Sequence, residues 1–269
     1  MINRNLFTIL FILFIALSYN IQPLFAQSSS SIQTIHLDSS LQETKGKDDN
    51  KKNKNNLVQP ALIVGTALGL YHYDQNIQRW SQNHRNDNSN QIANFSKNFG
   101  EVKYVLPALG LAHLYGKSHD DNKLARTGLL GMESVIAANI ITGGLKMATH
   151  RHRPNSGNSS SSWDGFKFSK DNVSFPSGHA ATAFACATVI ANEYKGNRTI
   201  VNTAYGLATL SALSRINDNE HWSSDVFIGS AIGYFTAKAI IRSRDKKNSL
   251  HISPTVGAKG AMLIYNAKF

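Results

Sequence analysis

The chain has one cysteine, Cys186, among its 269 residues. An internal disulfide is therefore excluded, and the run Ala183-Phe184-Ala185-Cys186-Ala187-Thr188 reads as the setting of a small buried side chain rather than of a reactive thiol. No grouping of cysteine and histidine has zinc spacing, so no metal site is expected. Acidic residues are also scarce, 17 Asp and Glu against 28 Lys and Arg, which gives a formal net charge of +11. Such a charge steers anions, and phosphate esters, nucleic acids and anionic lipid surfaces all qualify. Charge alone selects no partner, because part of the excess sits in the solvated run Lys45 to Asn56. There is no internal repeat, and beyond the extreme N-terminus most apolar runs fall short of the roughly 20 residues a spanning helix needs.

What is present divides into four parts. Residues 1–26 read as a secretory signal peptide: Arg4 supplies the positive start, Leu6 to Leu17 the apolar run, and Leu24-Phe25-Ala26 an imperfect cleavage site. Residues 27–56, rich in Ser, Asn, Lys and Asp, cannot bury enough surface to fold and are expected to be a disordered linker. Residues 57–245 form the helical domain. Its apolar stretches at Leu57 to Tyr73, Val102 to Tyr115, Arg126 to Thr149, His179 to Tyr194, Thr199 to Leu213 and Asp225 to Ile241 predict an all-α bundle of about six helices. Polar residues inside these stretches, such as Glu133, Asn202 and Lys238, favour a soluble periplasmic bundle over one associated with the inner membrane. Residues 246–269 are expected to be a poorly ordered tail packed on the bundle, with a hairpin or strand as the alternative.

Three blocks carry the chemistry. Lys146 and Arg153 stand seven residues apart before Pro154, two turns of helix if the helix continues, and their cations could meet on one phosphate. They could equally complement a helix C-terminal dipole together with His150, Arg151 and His152. Pro176-Ser177-Gly178-His179 opens the alanine-rich helix, where free backbone N–H groups make an anion site that Ser177 and Gly178 would complete. His179 could donate a proton there, and the plainer alternative is an N-cap at Ser177 with His179 incidental. Ser214-Arg215, His221 and Asp225 supply a third cation and a histidine whose carboxylate stands at i+4. On a helix Asp225 would fix the tautomer of His221 and free its other nitrogen to attack. The alternative is a surface pair at a helix start capped by Asp218 or Asn219.

Taken in order, Lys-x6-Arg-Pro, Pro-Ser-Gly-His and Ser-Arg-x5-His-x3-Asp resemble the three-part signature of the type 2 phosphatidic acid phosphatase and vanadium haloperoxidase superfamily, including its bacterial exported acid phosphatases. Every specified position is matched, and at about one chance in twenty per position a joint accident is remote. The resemblance spans roughly Leu57 to Ile241. It implies an α-helical bundle with one phosphate pocket in which Lys146, Arg153 and Arg215 bind phosphoryl oxygens, assisted by Ser177 and Gly178. It implies further that His221 attacks phosphorus, His179 protonates the leaving alcohol and Asp225 orients His221. A metal-independent phosphomonoesterase acting on a small phosphate ester or a lipid phosphate is the expectation, with no cofactor and no nucleic-acid partner. The alternative is a haloperoxidase holding vanadate in the same pocket, for which the chain is short. A non-catalytic binding protein would be expected to have lost the nucleophile or the acid, and both are present. Trp163, Phe166, Phe168 and Phe175 are expected either to line an apolar mouth or to anchor their loop.

Overall fold

The computed structural model describes residues 48–169, 172–257 and 260–267, with side chains described for residues 60–169 and 172–246. The expected signal peptide and most of the expected linker lie outside the described residues. The described part of that linker, from Asp48 onward, is already helical. The chain divides into two units, residues 1–58 and Gln59–Phe269, and the second carries the folded bundle.

Among the described residues seven helices follow in order: α1 Asp48–Asn83, α2 Asp87–Ser96, α3 Val102–Ser118, α4 Asn122–Thr149, α5 Gly178–Glu193, α6 Arg198–Asn217 and α7 Ser223–Ser249. A 3-10 turn, Lys97–Gly100, joins α2 to α3. All six helices expected from apolar periodicity are there, which settles the all-α class. The additional one, α2, is polar along most of its length and is set by its start: the Asn86 side chain accepts from Ser89 N, and Ser89 Oγ accepts from Asn86 N. Asp121 and Asn197 cap α4 and α6 in the same manner, through Leu124 N and Ile200 N.

The Ala-rich α5 forms the centre of the bundle, packed on α4, α6 and α7. Ala180, Ala181, Ala185 and Val189 have no measurable exposure, because small side chains let neighbouring backbones close in. On α7, Gly229 abuts the Ser177 backbone and Gly233 the Ala181 carbonyl, so tightly that a Cβ at either would collide. On α4, Gly128 meets the α3 backbone at Leu109 and His113 in the same way. This close approach brings the starts of α5 and α7 together, where the second and third sequence blocks lie.

Two expectations change. The tail is an antiparallel hairpin, β1 Leu250–Gly257 paired with β2 Gly260–Ala267, from Leu250 opposite Ala267 to Gly257 opposite Gly260. In addition α4 is 28 residues long, and among the described helices it is long and apolar enough to cross a membrane.

The glycine contacts give the first test. Gly233→Ala should lower stability by about 1–3 kcal/mol through overpacking against Ala181. Gly206→Ala, exposed on α6 with open space around it, should raise stability by roughly 0.5–1 kcal/mol through helix propensity. Denaturant titration of the two variants against the parent checks the opposite signs.

Candidate active site

The loop after α4 is shaped by where that helix stops. His150 caps it in the left-handed region at φ +42°, with its N–H on the Lys146 carbonyl. Pro154 then disfavours helical backbone at Arg153, which is extended at φ −75°, ψ 153°. Arg153 therefore does not reach Lys146 along a continued helix as the spacing suggested. An extended chain, bridged at Arg151 to Trp163 and at His152 to Val173, brings the two together instead. Lys146 Nζ donates to the carbonyls of Val173 (3.2 Å) and Ser174 (3.1 Å), and Arg153 Nε donates to that of Val173 (3.3 Å).

The third block is arranged differently from its sequence reading. Asp218 ends α6 and Asn219 turns the chain at φ +59°, so neither caps α7. His221 lies in the turn ahead of α7 rather than on a helix, and its N–H and that of Glu220 both donate to the Arg215 carbonyl (3.3 and 3.0 Å). Arg215 is thereby tied to the nucleophile candidate by backbone. The second block starts α5: Ser177 is the N-cap and accepts from Ala180 N, while its own N–H donates to the Asp225 carbonyl (3.0 Å). Gly178 opens the helix, and a Cβ there would make only an ordinary contact with Asn139.

These elements bring Lys146, Arg153, His179 and Arg215 close enough to His221 to act on it electrostatically. Burial drives the His221 imidazole well below its ordinary pKa, and Lys146, Arg153, Arg215 and His179 lower it further. The ring is accordingly neutral, with a lone pair available for attack. Burial and Arg215 also lower Arg153 and His179, Arg153 losing most to burial and His179 regaining some from Glu101. Each cationic group outside α4 has a carboxylate partner: Arg153 pairs with Glu220, Arg215 with Asp218 (3.0 Å) and His179 with Glu101 (2.8 Å). Buried Arg215 Nε has no hydrogen-bond partner among the described residues, so one guanidinium N–H remains for an anion.

Asp225 does not hydrogen-bond His221 directly. Its Oδ2 stands 3.9 Å from His221 Nδ1 and accepts from Ser174 Oγ and from Trp222 N (3.0 Å), while Ser174 Oγ lies 3.4 Å from the same Nδ1. Ser174, unmarked in the sequence reading, is thus interposed between carboxylate and imidazole. Arg151 and Asp74 were likewise missed as site residues. Arg151 is fully buried, with Nη1 on Asp225 Oδ1 (2.5 Å) and Ser224 Oγ (2.8 Å) and Nη2 on Asp74 Oδ2 (2.7 Å). Its guanidinium sits against the rings of Tyr71 and Trp163, both at 4.9 Å. The signal was an isolated acid, Asp74, closing an apolar stretch of α1, with no spacing to connect it to the basic run at 150–153.

Residues 128–249, which include all three blocks, match the PAP2 superfamily. Through this segment the chain resembles that superfamily. Among curated proteins, the lipid A 1-phosphatase of Porphyromonas gingivalis is 28% identical over 239 residues, 86% of this chain and 48% of that protein. The chain therefore spans about half the length of that curated relative. Of solved structures, a transmembrane PAP2 type phosphatidylglycerolphosphate phosphatase from Bacillus subtilis aligns with a TM-score of 0.55 at 19% identity, covering 70% of this chain and 96% of that one. LpxE of Aquifex aeolicus aligns at 0.48 and 20%, covering 63% and 94%. The Bacillus likeness agrees with the helical fold described above.

Two tests follow from this geometry. Arg151→Ala should destabilise the protein by about 3–5 kcal/mol, since it leaves Asp225 and Asp74 buried without their cation, and denaturant unfolding measures it. The second concerns pH. A buried neutral histidine binds fewer protons folded than unfolded, so stability should fall as pH drops below the unfolded value of about 6.5, at no more than about 1.4 kcal/mol per pH unit per histidine. Melting temperatures at pH 7 and pH 5 should show the loss, and His221→Gln should reduce it.

Proposed function

We propose that this protein is a phosphatase that hydrolyses phosphate monoesters of lipids through a phosphohistidine intermediate, without metal or other cofactor. The observation that carries the proposal is the gathering of Lys146, Arg153 and Arg215, with His179, around a neutral His221. Three fixed cations supply the charge that equatorial phosphoryl oxygens need, a task often given to a divalent ion. His221 attacks phosphorus through Nε2, a P–N bond forms as the P–O bond breaks, and His179 gives its proton to the departing alcohol oxygen. Water then attacks the phosphohistidine, His179 takes the proton, the P–N bond breaks and inorganic phosphate leaves. Ser177 and the Gly178 N–H assist at the helix start. Ser174 links Asp225 to His221 Nδ1, which holds the tautomer that leaves Nε2 free.

Three features support a lipid phosphate over a small ester. An apolar groove of about 420 Å³ runs between α3, α5 and α6, lined by Phe99, Val105, Leu109, Ala183, Ile190 and Leu207 among others. Two of its lining residues, Asn98 and Phe99, directly precede Gly100, which packs on the His179 backbone. In the loop joining the first two blocks the four aromatics divide their roles: Trp163 packs on Phe175 and Arg151, whereas Phe166 and Phe168 are 65% and 81% exposed. The bundle also exposes apolar stripes at helical spacing, Tyr104, Leu111 and Tyr115 on α3 and Leu129, Ile136 and Ile140 on α4. Exposed apolar stripes of this kind fit association with a membrane, and export by the N-terminal segment would place the protein at the periplasmic side. The related lipid A 1-phosphatase points to the same substrate class.

Phosphate release should be measured on phosphatidic acid and a lipid A phosphate in detergent, beside a soluble sugar phosphate, with and without EDTA. The lipid esters should turn over faster, and EDTA should leave the rate unchanged. Labelling quenched in alkaline detergent, where a P–N bond survives, should trap phosphate on the parent protein and on His179→Ala but not on His221→Ala. Turnover that requires added magnesium, or a phosphoenzyme that survives His221→Ala, would exclude the mechanism.

A further inference from the structure

Glu101 stands outside the three sequence blocks and outside the segment that matches the superfamily. It is the N-cap residue of α3, and its Oε2 lies 2.8 Å from His179 Nε2. The contact is built into the backbone: neighbouring Gly100 presses on the His179 carbonyl and the Ser211 hydroxyl so closely that a Cβ would collide with both. α3 therefore enters the bundle at the point where α5 presents its histidine. The other charged or titratable groups acting on this imidazole are Arg215 from α6, Lys146 from α4 and His221 from the turn before α7. None of these is acidic.

We propose that Glu101 is the positioning partner of the leaving-group acid, holding one ring nitrogen of His179 so that the other faces the ester oxygen, and opposing the surrounding cations so that the ring carries the proton it must give. In the transfer the proton moves from the free ring nitrogen to the alcohol oxygen, while the N–H shared with Glu101 stays in place. The proposal rests on the phosphatase reading only for the identity of the proton acceptor. Burial lowers His179 most, Arg215 and Lys146 lower it further, and Glu101 raises it. Removing the carboxylate charge should therefore lower the imidazole pKa, and the acid should be lost at a lower pH.

The test is Glu101→Gln, which keeps the size and removes the charge. In an NMR titration of 15N-labelled histidines, His179 in the variant should titrate about one pH unit below the parent, a shift moderated by partial solvent exposure. Glu101→Asp, which keeps the charge, should stay closer to the parent and serves as the readout if the Gln variant does not fold. This measurement needs no turnover, so absent hydrolysis would count against the phosphatase reading alone. In kinetics, Glu101→Gln should lower kcat for an alkyl phosphate and move the alkaline limb of its pH profile downward, with a smaller loss for 4-nitrophenyl phosphate, whose leaving group needs little protonation. In a His179→Ala background it should cause no further loss. An unchanged His179 titration, or an equal loss for both esters that persists without His179, would overturn the proposal.

Discussion

The site depends on the Arg151 guanidinium, which is closed off from water and bonded at once to α1, to the start of α7 and to its own loop. Asp74 accepts from Nη2 and at the same time from Ser223 Oγ and Ser224 N, so the acid from α1 caps α7 while neutralising Arg151. The Ser160 carbonyl takes Nε and Nη2, and Tyr71 and Trp163 offer ring faces. A buried charge assembly of this kind adds little net stability over an apolar replacement, yet any one member removed leaves the others uncompensated. It fixes geometry. Asp225, Ser174 and through them His221 hang from it, so the position of His221 depends on a residue buried away from the cluster of Lys146, Arg153 and Arg215.

The pocket itself presents the opposite electrostatic problem, an excess of positive groups held close together. Burial and mutual repulsion make that arrangement costly, and the carboxylates of Glu220, Asp218 and Glu101 offset it by pairing with Arg153, Arg215 and His179. The pairs are incompletely buried, so each carboxylate remains in contact with solvent and a phosphate dianion can compete for the same cations. Arg215 retains a buried N–H with no protein acceptor among the described residues, which favours occupancy by an anion.

Periodicity made the bundle legible because its helices bury apolar faces, and the three blocks were legible because they sit where helices begin or end. α2 was not, since a capping box and a contact with α6 set it rather than an apolar stripe. Arg153 and His221 were placed on helices by spacing, whereas Pro154 and the left-handed residues His150 and Asn219 break the chain and bring the side chains in from loops. Asp74, Ser174 and Glu101 were invisible for a different reason. Each acts on a residue far away in sequence, and no local pattern encodes a long-range hydrogen bond.

The same small residues that let α5 pack also fix the direction of the chemistry. With Gly229 against Ser177 and Gly233 against Ala181, α7 can lie along α5 closely enough for the Ser177 N–H to reach the Asp225 carbonyl. A larger side chain at Gly229 would separate the helix start that carries Ser177, Gly178 and His179 from the turn that carries His221. Under the proposed mechanism the two histidines would flank one phosphorus atom, and misplacement by about 1 Å can cost two orders of magnitude in rate. Backbone contact between the two helices thus adds to the Arg151 bonds in setting where the segments that carry His179 and His221 lie.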